Sequence, residues 1–122
     1  MADKLLSGRR VLVVEDETLI FMMVEAMLAD LGCESVTGAA TVGKALALID
    51  AQGFDAAMLD MNLNGNPSHA VAEALGARGV PFVYCTGNNR HQLMDIFYDQ
   101  PVLKKPFKYE QLVEILTRLL AT

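Results

Sequence analysis

Short runs of apolar residues recur along this chain, and a stretch with helical periodicity follows each of them. The runs at 11–14 and 56–59 lead directly into acidic residues. Such short runs indicate strands that are buried on both faces of a parallel sheet. Five strand–helix repeats without a long linker predict an open, doubly wound α/β sheet, since an eightfold barrel needs about 250 residues.

The pattern predicts each element separately. The first helix is expected to begin near Glu17, and Thr41 is expected to cap the second. The apolar residues at helical spacing in the first helix are Leu19, Ile20, Met23, Met27 and Leu31, and they are expected to face inward. The stretch 88–98 has the weakest apolar stripe, so we expect its helix to be short or mobile. Strands are predicted at 11–14, 33–37, 55–59, 80–85 and 102–103, and helices at 17–31, 41–52, 67–78, 88–98 and 108–120.

Size and composition limit the kind of protein. With 122 residues, of which 52% are hydrophobic, the chain predicts a single domain over 1–122 with its core at about 9–120. The net charge of −5 argues against a nucleic-acid partner, which would need a clustered basic surface. No apolar run approaches the roughly 20 residues of a membrane span, so we expect no membrane partner and a cytoplasmic location.

Four strand ends carry the residues with chemical potential. Glu15 and Asp16 follow the first strand, and Asp60 follows the third. Carboxyl ends of parallel strands meet at one edge of the sheet, so these three carboxylates are expected to converge there. Hard oxygen ligands of this kind suit Mg²⁺. Thr86 after the fourth strand and Lys105 after the fifth add a hydroxyl and a positive charge, as a pocket that handles a phosphoryl group requires.

In the order and spacing of these residues the chain resembles a receiver domain of a two-component response regulator over nearly its whole length. The resemblance implies a flavodoxin-like (CheY-like) fold with five parallel strands in the order 2-1-3-4-5 and five helices. The segments 60–65 and 82–87 are most similar to the single-domain receivers of alphaproteobacteria known as the FAT GUY group.

The resemblance assigns a role to each site residue. Asp60 is expected to be the phosphoacceptor, and Lys105 to pair with it before transfer and with a phosphoryl oxygen afterwards. Thr86 is expected to donate its hydroxyl to the phosphoryl group. Mg²⁺ is expected beside Asp60, held by Glu15, Asp16, Asp60 and the backbone carbonyl of Asn62.

The resemblance also predicts the partners. A sensor histidine kinase or a phosphotransfer protein would supply the phosphoryl group, and the output would be a contact with a protein target or a role as phosphate shuttle or sink. The chain would be a monomer or a phosphorylation-dependent dimer, and a signalling switch rather than an enzyme. Val102 stands where many receivers have a switch aromatic, and Asn88 and Asn89 depart from the subgroup's motif, so the output mechanism stays open.

Simpler interpretations exist for each feature alone. An acid pair after a strand is often a helix cap, and an aspartate before an Asn-Gly turn is often a turn residue. His69 and His91 are expected to have surface or capping roles, and Cys33 and Cys85 to be buried, inert thiols. Two other functions are alternatives to the phosphorylated receiver. The chain could be an aspartyl-phosphate phosphohydrolase, or a degenerate receiver that binds a partner without phosphorylation.

Overall fold

The computed structural model describes residues 4–63, 65–87 and 101–120. Among the described residues, none of the helices combines the length and the hydrophobicity that a membrane span requires. In chain order the elements of the described residues are β1 (Arg10–Val14), α1 (Thr18–Asp30), β2 (Ser35–Ala39), α2 (Val42–Ala51), β3 (Ala56–Asp60), β4 (Asn62–Leu63), β5 (Asn66–Pro67), α3 (His69–Ala77), β6 (Phe82–Thr86), β7 (Val102–Lys104) and α4 (Tyr109–Leu119).

A five-stranded sheet forms the centre of the fold, with hydrogen-bonded neighbours in the order β2-β1-β3-β6-β7. All four pairs are parallel, which confirms the predicted class of sheet. β4 and β5 form a separate antiparallel hairpin where the sequence indicated a turn-rich loop. The predicted strand order was 2-1-3-4-5. The numbers differ here because β4 and β5, which were not predicted, are counted in chain order. The helix predicted at 88–98 lies outside the described residues.

Both faces of the sheet are covered. Every residue of β3 and of β6 is buried, as the continuous apolar runs predicted. One core cluster contains Leu12, Leu59 and Leu75 and joins the sheet to α2 and α3. A second contains Val13, Leu28 and Leu116 and joins it to α1 and α4. Alternate strand residues therefore serve two different cores, which holds the strand ends in a fixed register.

Helix α1 turns only part of its predicted apolar stripe to the core. Leu31 is buried, and Ile20 and Met27 pack against the core, as predicted. Leu19 and Met23 are instead 81% and 38% exposed, whereas Val24 and Leu28 are buried. Apolar residues occupy nearly the whole circumference of this helix, so periodicity alone did not select the buried side. Met22 is exposed as well, at 56%.

Strand β2 runs over Ser35–Ala39, two residues later at each end than predicted, and therefore includes Gly38. A Cβ at Gly38 would lie 2.6 Å from the Phe21 ring, so the glycine is required for α1 to approach this strand. The sequence analysis ended the strand at Thr37. Thr41, by contrast, is confirmed as the cap of α2, since its hydroxyl accepts a hydrogen bond of 3.1 Å from the Lys44 N–H.

The orientation of α1 can be tested with a matched pair of substitutions. Leu28→Ala should lower the free energy of unfolding by about 2–5 kcal/mol, because Leu28 is fully buried. Leu19→Ala should change it by no more than about 0.5 kcal/mol, because Leu19 is largely exposed. Urea unfolding measures both, and equal losses would contradict this orientation.

Candidate functional site

Four parallel strands bring the predicted site residues to one edge of the sheet. Glu15 follows β1, Asp60 and Thr86 end β3 and β6, and Lys105 follows β7. Backbone hydrogen bonds continue past these strands: the Glu15 N–H donates to Ala39 at 2.9 Å and the Lys105 N–H to Thr86 at 2.7 Å. These backbone hydrogen bonds thus fix the main chain of the segments that carry the candidate site residues.

The acidic side chains form a cluster. One carboxylate oxygen each from Glu15, Asp16 and Asp60 lies within 4.8 Å of the others. Glu15 and Asp60 are buried, at 7% and 8% exposure, and Asp16 is half-buried. Mg²⁺ binds oxygens at about 2.1 Å, so opposite ligands stand roughly 4.2 Å apart. The spacing of the three oxygens is compatible with one such ion. Asn62 begins β4, two residues after Asp60. The role of the Asn62 backbone carbonyl as a metal ligand stays a prediction.

Lys105 supplies the positive charge of the site. Its Nζ lies 2.7 Å from Glu15 Oε1 and 3.2 Å from Asp60 Oδ2. Burial alone would lower the pKa of the Lys105 ammonium, but the hydrogen bond to Glu15 and the charges of Asp60 and Glu15 raise it above its ordinary value. The ammonium therefore stays charged at neutral pH. The pairing with Asp60 was predicted, whereas the shorter contact with Glu15 was not.

Glu15 also contacts the start of α1. Its Oε2 accepts a hydrogen bond of 3.1 Å from the Glu17 N–H, and Glu17 is the N-cap residue of that helix. The interpretation of the acid pair as a helix cap thus holds in part, through Glu15. A carboxylate beside a helix N-terminus is stabilised by the free N–H groups and the helix dipole.

Beneath Lys105 the site has an apolar floor. Val13, Met58, Cys85 and Phe107 line a space of about 10 Å³, barely enough for one water molecule. Burial raises the pKa of the Cys85 thiol to about 12, although the Lys105 charge acts in the opposite direction. Cys85 is therefore a neutral, unreactive thiol at physiological pH.

Two cysteines were predicted to be buried, and only Cys85 is. Cys33 is half-buried, and its thiol donates to the backbone carbonyls of Arg9 and Ser35 at 3.4 and 3.2 Å. Burial is the largest cause of the raised pKa of Cys33. Both thiols are thus shielded from becoming thiolates, as the prediction of inert cysteines requires.

Ser68 is a site residue that sequence reasoning missed. The side chain is buried, and its hydroxyl donates to the backbone carbonyls of Asp60 and Met61. Its N–H donates to Met61 at 3.0 Å, so Ser68 closes the loop that follows the candidate phosphoacceptor. A serine after proline indicated only the start of α3, where its side chain makes no cap hydrogen bond.

Thr86 and Val102 lie on the neighbouring parallel strands β6 and β7. Thr86 is buried at the end of β6, and its hydroxyl as a phosphoryl donor stays a prediction. Val102, on β7, lies opposite Tyr84 in the parallel register. Tyr84 is buried and packs edge-to-face on Phe82 with ring centroids 5.6 Å apart. The segment 88–100, which includes Asn88 and Asn89, lies outside the described residues.

Removal of the Ser68 hydroxyl tests its role in holding the loop. Ser68→Ala should lower the free energy of unfolding by about 1–3 kcal/mol, because the substitution takes a buried hydrogen-bond donor from two carbonyls. Urea unfolding measures the loss. The exposed Ser7, as Ser7→Ala, is the control and should lose less than about 0.5 kcal/mol. Equal, small losses in both variants would contradict the structural role of Ser68.

Comparison with known structures finds close matches along nearly the whole chain. SdrG from Sphingomonas melonis Fr1, a solution structure, is 44% identical with a TM-score of 0.83, covering 98% of this chain and 99% of that one. The BeF3-activated conformation of SdrG from Pseudomonas melonis Fr1 is 43% identical with a TM-score of 0.80, over 93% and 98%.

A third similar structure contains a metal. The receiver domain of the sensor histidine kinase PA1611 from Pseudomonas aeruginosa PAO1 has a magnesium ion coordinated in its active-site cleft. It is 28% identical with a TM-score of 0.82, covering 95% of this chain and all of that one. A comparison with curated protein sequences finds no match.

A family model decides the assignment. The model described as "Response regulator receiver domain" matches residues 11–117. The match spans most of the chain and contains all the strand ends that carry the candidate site. The structural similarities agree with it and confirm the flavodoxin-like fold of CheY-type proteins. The chain therefore belongs to the family of response regulator receiver domains.

Proposed function

We propose that this receiver accepts a phosphoryl group on Asp60 in a Mg²⁺-dependent reaction and signals through protein contacts. One observation carries the proposal: the Lys105 ammonium lies between the buried carboxylates of Glu15 and Asp60, with Asp16 beside them. Such a cluster combines a nucleophile, oxygen ligands for a cation and a fixed positive charge.

In this proposal the Asp60 carboxylate attacks the phosphorus atom of a phosphohistidine or a small phosphodonor in line with the bond that breaks. A new O–P bond forms an acyl phosphate, and the donor leaves with the electrons of its broken bond to phosphorus. Bound Mg²⁺, with Glu15, Asp16, Asp60 and the Asn62 carbonyl as ligands, would neutralise charge on the transferred group. Lys105 moves from the carboxylate to a phosphoryl oxygen, and Thr86 donates its hydroxyl.

The biological setting belongs to the same proposal. The donor is a sensor histidine kinase or a phosphotransfer protein in the cytoplasm, and this receiver is a signalling switch rather than an enzyme. The 43–44% identity with SdrG, which has been described in a BeF3-activated conformation, supports activation at this site. We further propose that this receiver belongs to the FAT GUY group and acts as a stand-alone regulator, through protein contacts or as a phosphate shuttle or sink. It is a monomer or a dimer that forms on phosphorylation.

The position of Asp60 separates this function from phosphohydrolase chemistry. Aspartyl-phosphate phosphohydrolases place their nucleophile after the first strand in an Asp-x-Asp pattern. Here the first strand, β1, is followed by Glu15-Asp16, and Asp60 ends β3. Lys105 contacts Asp60 at the end of β3 and Glu15 after β1. A lysine paired with a carboxylate after the third main strand favours the receiver over the hydrolase.

An apolar groove next to the site is suited to the docking of a phosphodonor protein. The groove has a volume of about 360 Å³, and its lining includes Ile20, Met23, Pro106 and Phe107 together with Lys105. Since Lys105 also belongs to the acid cluster, a partner seated in the groove would lie beside Asp60. Leu19 and Met22 on the same helix, α1, are exposed apolar side chains as well.

Phosphoryl transfer can be tested by intact mass after incubation with acetyl phosphate. The wild type should gain one phosphoryl group in the presence of Mg²⁺ and none after EDTA treatment. Asp60→Asn should gain none, because it lacks the nucleophilic carboxylate. Asp55→Asn, a change at another aspartate, is the control and should still be labelled. An unmodified wild type would refute phosphorylation and favour an interaction module that works without it.

The docking groove can be tested by comparing two donors. Met23→Glu, at a residue of α1 that lines the groove, should slow transfer from a histidine kinase that phosphorylates the wild type by roughly tenfold, since a charge would replace an apolar side chain. Labelling by acetyl phosphate, which needs no docking, should stay unchanged. Ala47→Glu, an exposed position on α2, is the control for added charge. An unchanged rate with the kinase would show that α1 is not the docking surface.

A further inference from the structure

Lys105 is held more closely by Glu15 than by the candidate phosphoacceptor. The Nζ–oxygen distances are 2.7 Å to Glu15 and 3.2 Å to Asp60, and all three side chains are shielded from solvent. Three carboxylates and one ammonium give the cluster a charge of −2. Lys105 is therefore a counter-ion for both Glu15 and Asp60.

Both oxygens of Glu15 are engaged. Oε1 accepts from the Lys105 ammonium and Oε2 accepts from the Glu17 N–H. Glu15 must therefore give up or share a contact before it can turn an oxygen towards a metal or a metal-bound water. The additional methylene of glutamate, compared with aspartate, gives this side chain the reach to hold Lys105.

We propose that Glu15 is a positioning residue for Lys105, and that the Glu15–Lys105 ion pair competes with Mg²⁺ for the acid cluster. The inference rests on the proposed function, because it concerns the same site. Metal entry weakens the hold of Glu15 on the ammonium, so Lys105 becomes available to a phosphoryl oxygen at the step where that charge is needed. Glu15 thus couples metal binding to the position of Lys105.

Two physical effects make the same prediction for the metal. Neutralising Lys105 changes the cluster charge from −2 to −3, which strengthens the attraction for a divalent cation. It also frees the Glu15 oxygen that the ammonium occupies. Lys105→Met should therefore bind Mg²⁺ more tightly than the wild type, by on the order of tenfold.

The experiment is a titration with Mg²⁺ alone, followed by the amide chemical shifts of ¹⁵N-labelled protein. Lys104→Met removes the same charge from the exposed neighbouring residue and should change the dissociation constant by less than about twofold. The spectra report whether each variant is folded. Lys105→Gln, which is neutral but polar, replaces Lys105→Met if the methionine variant does not fold.

A double-substitution cycle isolates Glu15. Glu15→Asp keeps the carboxylate but loses the reach to Lys105, so it should tighten Mg²⁺ binding in the wild-type background by a few-fold. In the Lys105→Met background the same change should give no such gain, because the competing ion pair is already absent. Additive effects of the two substitutions would overturn the role of Glu15 as a positioning residue.

The outcomes separate the inference from the function on which it rests. A wild type that binds Mg²⁺ and a Lys105→Met variant with the same or weaker affinity would overturn the competition while leaving the proposed function intact. A wild type and variants that bind no Mg²⁺ would overturn both. Tighter binding in Lys105→Met, unchanged binding in Lys104→Met and a non-additive cycle would support the inference.

Discussion

The repulsion among three carboxylates at one edge of the sheet is the constraint on which the site depends. Glu15 and Asp60 are buried, and a buried carboxylate is costly unless an opposite charge or hydrogen-bond donors accompany it. Lys105 meets this requirement for both residues at once. The remaining negative charge makes the cluster a favourable place for a divalent cation. The same arrangement places a positive charge beside Asp60, as the proposed phosphoryl transfer requires.

The parallel sheet creates this arrangement from residues that are distant in sequence. Lys105 is 90 residues from Glu15 and 45 from Asp60. Burial of β3 and β6 on both faces fixes the register, and the backbone hydrogen bonds beyond the strands fix the segments that carry Glu15, Met61 and Lys105. Packing of the two cores and chemistry at the edge are therefore linked: a shift of one strand would separate the charges.

Much of the fold and of the site residues could be predicted from sequence. The Asp, Glu, Thr and Lys residues that follow or end apolar runs could be placed from the sequence. The carboxyl ends of parallel strands lie at one edge of the sheet, so these residues are expected there. Contacts that depend on side-chain reach could not be predicted in this way. The Glu15–Lys105 pair needs the length of both side chains, and the Ser68 hydrogen bonds need the turn of the β4–β5 hairpin. The prediction of inward residues on α1 was wrong at Leu19 and Met23, because apolar residues surround the helix and its periodicity does not select one side.

The most direct test of the central claim is the location of a divalent cation by anomalous scattering in crystals grown with Mn²⁺, an ion with the same preference for oxygen ligands. The account predicts one ion among Glu15, Asp16 and Asp60, with oxygens of Asp16 and Asp60 at roughly 2.1 Å, and Lys105 Nζ farther from Glu15 than the present 2.7 Å. A fully occupied ion elsewhere, or no ion with the Glu15–Lys105 pair intact at millimolar Mn²⁺, would contradict it.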